Sequence, residues 1–168
     1  EGSGLAYITT TNQWGTTGSD KPLLIKTDGQ GNLSWAIVFE FPEDARGYWV
    51  KQKDNGNYLF GGNYMDDVQG LYIAEAGING NLLWAHAYQD AGYLYPVYTN
   101  KEHFELSAAQ DILLTGHFDS QYGPVYLVKT DSMGVTSCET DITSSASQFD
   151  VTGEVIVENA AINTTTEE

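Results

Sequence analysis

The sequence predicts an all-β protein built from three repeats. The chain has 168 residues, with 18 glycines and 11 tyrosines but only four prolines, a composition typical of strands joined by tight turns. Short runs of β-branched, aliphatic and aromatic residues alternate with turns rich in Gly and Asn, which is the pattern of β-hairpins. The same hairpin unit recurs about every 50 residues, and no stretch has a persuasive helical period.

The repeat is clearest around its central turn. In the first copy, Asp28–Asn32 separates the apolar runs Leu23–Ile25 and Ala36–Phe39. Asp, Gly and Asn allow the chain to reverse there, because they tolerate a positive φ or bond their own backbone. The turn glycines are spaced by 49 and 54 residues (80 − 31 and 134 − 80), and they are Gly31, Gly80 and Gly134. The residue four positions after each glycine is Trp35, Trp84 or Cys138, and we expect all three to be buried.

We interpret the chain as a single domain of three four-stranded repeats, at about 1–47, 48–100 and 101–147. The first repeat lacks its first strand, and 42–47 is predicted to be a connection with a charged tip. Residues 135–141 are predicted to be the fourth strand of the third repeat. An extra strand at 148–158 and a frayed tail at 159–168 follow.

A family resemblance follows from the repeat. The pattern from Lys26 to Trp35 reads Lys-Thr-Asp, two residues, Gly-Asn, an apolar residue, any residue and Trp. It resembles the blade repeats, of ~50 residues, in secreted bacterial and archaeal β-propeller proteins. The resemblance implies four-stranded blades arranged around a channel. The second copy departs from it with Glu75-Ala76-Gly77, and the third lacks the Asn and the Trp.

Three repeats are too few for an ordinary closed propeller. We therefore expect a propeller-like array that is open or is closed by oligomerisation. One alternative is a closed three-fold barrel like a β-trefoil, and another is a fragment of a longer propeller. The chain begins at Glu1 rather than at Met, so we expect a processed mature form or a fragment.

The charge balance limits the classes of partner. Seven basic residues against 23 acidic ones give a formal net charge of −16. Nucleic acids and anionic membranes are therefore disfavoured, because both are bound by clustered Lys and Arg. No apolar run approaches the ~20 residues that span a bilayer, so we expect no membrane insertion. The charge serves solubility or recruits divalent cations such as Ca²⁺, and the best candidate ligands are Asp66, Asp67 and Asp119.

Other chemistry-bearing residues point to structure rather than to catalysis. Asp28 and Asp131 lie in turns and offer too few oxygens for calcium, so we read them as turn-stabilising residues. No two histidines have metal-ligand spacing, and they are His86, His103 and His117. The sequence has no Gly-x-Ser-x-Gly elbow and no candidate triad, so we predict that the protein is not an enzyme.

The remaining signals favour association. A long connection between repeats carries exposed aromatic residues suited to an interface, namely Tyr93, Tyr95 and Tyr98. The extra strand offers an apolar face for pairing with a blade edge, formed by Val151, Val155 and Val157. We expect that pairing to occur between chains, because three wedge-shaped blades close poorly within one chain. Two glycosylation sequons are present, at Asn32 and at Asn163, which is the better candidate.

These features favour an extracellular or cell-surface structural subunit that associates with copies of itself, as an oligomer or a filament. The alternative is a module of a larger secreted protein that binds carbohydrate or another ligand. The size of the native particle separates the first hypothesis from the second, and a glycan array tests the second.

Overall fold

The computed structural model describes residues 4–65, 69–89, 103–117, 125–137 and 139–155. Its strands pair antiparallel throughout and form three sheets. The all-β prediction is confirmed. The alternative of a closed three-fold barrel is wrong for this part of the chain, because none of its three sheets closes on itself.

The first sheet has the strand order β1-β2-β3-β12, with β1 at Ala6–Thr11, β2 at Lys21–Thr27, β3 at Leu33–Glu40 and β12 at Ser147–Asp150. The second has the order β11-β7-β6-β5-β4, with β4 at Asp44–Gln52, β5 at Tyr58–Met65, β6 at Gln69–Ala76, β7 at Leu82–Gln89 and β11 at Glu139–Asp141. The third has the order β10-β9-β8, with β8 at His103–Leu106, β9 at Ile112–His117 and β10 at Val125–Lys129. One turn of 3₁₀-helix, Thr143–Ser145, links β11 to β12.

The turns are those the sequence predicts. Gly31, Gly80 and Gly134 have φ values of +87°, +83° and +77°, which an L side chain rarely adopts. The last two glycines also allow adjacent sheets to approach closely. A Cβ added to Gly80 would lie 2.8 Å from the Ile37 side chain, and one added to Gly134 would lie 2.6 Å from Trp84. Each turn therefore packs on the preceding sheet near the tryptophan position.

The predicted connection at 42–47 is wrong, because β4 already begins at Asp44. The charged residues of this segment are typical of a loop, but in the structure Asp44 and Arg46 belong to a strand and have hydrogen-bond partners. The Arg46 guanidinium donates to the Asp20 carboxylate at 2.7 Å, and the Ala45 N–H donates to the Asp20 carbonyl at 2.9 Å. Polar residues can thus continue a strand because a neighbouring loop supplies their partners.

The predicted fourth strand of the third repeat is also wrong. Among the described residues of 135–141, only Glu139–Asp141 form a strand, and this strand pairs with β7 of the second sheet rather than with β10. The second sheet consequently has five strands and the third has three among the described residues. Three four-stranded repeats are therefore not what these residues form.

The extra strand is shorter than predicted and pairs within its own chain. β12 ends at Asp150, and Val151–Val155 forms turns instead of continuing the strand. Its register on β3 places Phe149 opposite Val38 and Asp150 opposite Ile37. The expectation that this strand pairs between chains is therefore wrong. β12 lies beside β3, and among the described residues no strand pairs with the outer side of β1, where the first repeat lacks a strand.

Apolar side chains lie on both faces of the sheets. One core cluster, which includes Leu24, Phe39, Phe60 and Tyr72, joins the first sheet to the second. A second cluster, which includes Ile73, Trp84 and Leu114, joins the second sheet to the third. A smaller cluster lies on the other face of the first sheet. In the described ranges, no helix has the length and hydrophobicity needed to cross a membrane.

Candidate functional site

Many predicted site residues lie outside the described residues, so their placement stays a prediction. They are the tyrosines Tyr93, Tyr95 and Tyr98, the acidic residues Asp66, Asp67 and Asp119, and Val157, Asn163 and Cys138. The structure places Val151 and Val155 inside its own subunit, against the small cluster on the outer face of the first sheet. Val151 is only 3% exposed.

The turn aspartates stabilise turns, as predicted. The Asp28 carboxylate accepts the backbone N–H groups of Gln30 and Asn32, each at 2.9 Å. The Asn32 side-chain amide also donates to Asp28 at 2.9 Å. The hydrogen bonds from the Asn32 side chain, and then those from backbone N–H groups, lower the pKa of Asp28. Asp131 makes the same two backbone contacts, to Met133 and Val135.

Among the described residues, no group of three or more His, Cys, Asp or Glu is placed to hold a metal ion. His86 is buried beside Trp84, with 5.2 Å between the ring centroids. A Cβ added to Gly134 would lie 3.0 Å from the His86 ring, so this histidine belongs to the packing between the second and third sheets. His103 is the first residue of β8, and His117 is the last residue of β9.

The clearest candidate for association is the outer edge of β10. In the first and second sheets the strand equivalent to β10 is covered by a further strand, β3 or β7. In the part of the chain that the structure describes, β10 has no strand on that side. Leu127, on β10 itself, is 62% exposed, and Leu113, opposite Lys129 on the neighbouring strand β9, is 38% exposed.

The outer face of the first sheet is a second partly open surface. Leu5 and Tyr7 are both more than half exposed on it. Loop residues 12–20 cover the rest through Trp14, which packs against the small cluster there. Glu40 holds this loop, because its carboxylate accepts the backbone N–H groups of Thr16 and Thr17.

Glu40 is a buried acid with an ordered environment. Burial alone would raise its pKa, but the hydrogen bonds from Thr16 and Thr17 outweigh burial and lower the pKa of Glu40. The Lys21 ammonium lies 3.6 Å from the carboxylate and donates to the carbonyl of Thr17 at 2.6 Å. The arrangement holds the loop rather than presenting a reactive carboxylate.

A pocket of about 550 Å³ lies at the turn end of the second and third sheets. Its inner wall is a buried ion pair, in which the Lys53 ammonium lies 2.8 Å from the Glu75 carboxylate. Glu75 also accepts the Trp84 indole N–H at 3.0 Å and the Asn57 amide at 2.6 Å. The outer wall includes Asp54, Asn55, Gln110, Ser132 and Met133.

Gln110 is the residue of this pocket that sequence reasoning missed. It has a φ of +63° and occupies the turn position that Gly56 holds in the preceding repeat, 54 residues earlier (110 − 56). Its buried Oε1 has no hydrogen-bond partner. The alignment of the Lys53–Asn57 turn with the Ser107–Asp111 turn is the signal that reveals it, because both turns close with the same backbone bonds.

Comparison of the chain with models of protein families, and with curated proteins, found no match.

Proposed function

We propose that this chain is a non-enzymatic, extracellular structural module that assembles with copies of itself through an open strand edge. The observation that carries the proposal is the outer edge of β10, on which the described residues place no strand. The strand that the repeat would place there instead pairs with β7. A strand from another copy would complete the third sheet in the way that β3 and β7 complete the other two.

The backbone of β10 supports this assignment. The Thr130 N–H donates inward to the Ile112 carbonyl at 3.0 Å. Because donors alternate along an antiparallel strand, the N–H groups of Leu127 and Lys129 point outward. An exposed row of such groups is a template for pairing with another chain.

The side chains beside the edge add an apolar contact. Covering the exposed part of the Leu127 side chain would contribute less than the roughly 1.5–3 kcal/mol expected for burying a whole leucine side chain. Lysine on an edge strand usually discourages pairing. Here the Lys129 ammonium lies 3.6 Å from the Asp111 carboxylate, which offsets its charge. The edge therefore carries an exposed apolar side chain and a lysine whose charge has a nearby counterion.

The partly open face of the first sheet offers a second contact, through Leu5 and Tyr7. Two different contacting surfaces on one subunit allow a head-to-tail assembly, which forms a filament where the rotation does not close a ring. This supports the filament form of the proposal and is compatible with a propeller-like repeat.

The experiment is a measurement of molar mass by light scattering across a range of protein concentrations. We expect wild-type oligomers that Leu127→Lys converts to monomers. Ile78→Lys is the matched control, because Ile78 is an apolar residue of similar exposure, 59% against 62%, in a turn of the second sheet. Equal masses for the two variants and the wild type would contradict the proposal.

A second candidate function is the binding of a polar ligand such as a glycan. The pocket between the second and third sheets favours it, because Gln110, whose buried Oε1 has no hydrogen-bond partner, lines the pocket together with polar residues such as Asn55 and Ser132. Binding would change the fluorescence of the buried Trp84. A glycan array followed by fluorescence titration tests this function, and binding that Gln110→Ala leaves unchanged would count against the pocket.

A further inference from the structure

The two short strands near the end of the described chain share one sequence pattern. β11 continues into Asp141-Ile142-Thr143, and β12 continues into Asp150-Val151-Thr152. The two Asp-(Ile or Val)-Thr triplets are nine residues apart (150 − 141). We define these triplets as the first and second docking motifs.

The motifs dock at equivalent positions of two successive repeats. Asp141 lies opposite His86 on β7, and Asp150 lies opposite Ile37 on β3. His86 and Ile37 are 49 residues apart (86 − 37), which is the spacing of the first two turn glycines. Each motif therefore meets the residue two positions after the repeat tryptophan.

The two motifs make the same two hydrogen bonds to the backbone of the alanine on which each docks. The N–H of Ile142 donates to the Ala85 carbonyl at 3.0 Å, and that of Val151 donates to the Ala36 carbonyl at 2.9 Å. The Thr143 hydroxyl accepts the Ala85 N–H at 2.8 Å, and the Thr152 hydroxyl accepts the Ala36 N–H at 2.9 Å. The threonine hydroxyl thus accepts the alanine N–H in place of a backbone carbonyl, and the strand pairing ends there.

The aspartate shapes each motif internally. The Asp141 carboxylate accepts the Thr143 N–H at 2.9 Å, and the Asp150 carboxylate accepts the Thr152 N–H at 2.9 Å. This Asx-type bond turns the chain away from the sheet and orients the threonine hydroxyl toward the alanine. A turn follows both motifs, closed by bonds back to the Ile142 and Val151 carbonyls.

The β-branched residue of each motif fills an apolar site beside the alanine. Ile142 is 5% exposed and joins the cluster that contains Ala85. Val151 is 3% exposed and joins the cluster that contains Ala36. Both alanines are fully buried, so each motif covers the strand edge on which it docks.

We propose that the outer edges of β3 and β7 are two copies of one peptide-docking site, whose ligand is an extended strand ending in Asp, a β-branched residue and Thr. In this structure the chain's own docking motifs occupy both copies. The recognition is carried by the Ala36 or Ala85 amide group, which pairs with the peptide backbone and the threonine hydroxyl. The proposal is independent of assembly through β10, because it concerns different edges.

A peptide-binding experiment tests the proposal. The Asp150→Ala/Thr152→Val variant of the full chain weakens the second motif and opens the site on β3. We expect a labelled peptide of residues 146–155 to bind this variant and not the wild type, whose site is filled. A peptide of residues 137–146 should compete for the same site, because it carries the first motif. A folded variant that binds neither peptide, or that binds a peptide with the same two substitutions equally well, overturns the proposal.

A second measurement does not depend on the stability of that variant. The substitutions Phe149→Thr and Val151→Ile give the second docking motif, and the residue before it, the sequence of the first, since Asp and Thr are already shared. We expect this chimera to keep the Ala36 amide protected from hydrogen exchange. Thr152→Val should speed that exchange roughly tenfold, because the amide loses its acceptor. Equal loss of protection in both variants would show that the motifs are not equivalent.

Discussion

At the scale of single residues, Lys53 and Glu75 form a buried ion pair beside the second sheet. Both side chains are less than one-tenth exposed and lie 2.8 Å apart. Lys53→Met should cost about 3–5 kcal/mol of unfolding free energy, because removal of one partner leaves the other charge buried without compensation. Urea denaturation measures this cost. Adding Glu75→Gln to Lys53→Met should recover part of it, and a double variant no more stable than the single one would refute the explanation.

Trp84 tests the repeat alignment at the same scale. Its burial, 7% exposed, is as predicted from the sequence, and the structure packs it over the turn glycine Gly134. Trp84→Ala should cost ~3–5 kcal/mol through the cavity that it leaves. Trp35 holds the equivalent position, but the prediction that it is buried is wrong, because it is only partly buried. Trp35→Ala is therefore the control. We expect a smaller loss there, and an equal or larger loss would contradict the burial argument.

At the scale of elements, local sequence predicts the strands well and their partners poorly. Runs such as Lys21–Thr27 became strands with the predicted bounds because β-branched residues and Gly-containing turns act locally. The pairing of β11 with β7 joins residues about 50 positions apart, and no local pattern near Val135–Asp141 specifies it. The recurrence of Asp-(Ile or Val)-Thr was the available signal.

The candidate site shows the same division. The turn role of Asp28 follows from its own neighbours and was predictable. The edge of β10, on which the described residues place no strand, was not predictable, because the later strand β11 pairs with β7 instead. Likewise Glu75 departs from the Lys-Thr-Asp pattern of the repeat. Its role follows only from the structure, in which the Lys53 ammonium and the Trp84 indole donate to its carboxylate.

The docking motifs predict a dependence of stability on pH. Hydrogen bonds from Thr143 lower the pKa of Asp141, and hydrogen bonds from Thr152 lower the pKa of Asp150. A carboxyl whose pKa is lower in the folded state stabilises that state above its ordinary pKa of 3.8. The contribution is lost as the pH falls from that value through the lowered pKa.

Denaturation in urea at a series of pH values checks this dependence. Asp150→Asn should flatten the acid limb of the stability curve while leaving the curve near pH 7 parallel to that of the wild type. Asp54→Asn, at an exposed turn residue, is the control. An unchanged acid limb in Asp150→Asn would show that the carboxylate does not contribute through this bond.

At the scale of the whole molecule, the net charge of −16 opposes association of copies. If acidic surfaces come together in the assembly, divalent cations or low pH should strengthen association and a chelator should weaken it. Sedimentation with calcium and with chelator between pH 5 and 8 measures the effect. Identical association under all these conditions would leave the charge as a determinant of solubility alone.

The most direct test of assembly is hydrogen exchange of the β10 amides as a function of protein concentration. The N–H groups of Leu127 and Lys129 point away from β9, so they exchange rapidly in an isolated chain. The account predicts that their exchange slows as the concentration rises, in step with the molar mass, while the inward Thr130 N–H stays protected throughout. Rapid exchange of Leu127 and Lys129 at concentrations where oligomers are present would show that assembly does not use this edge.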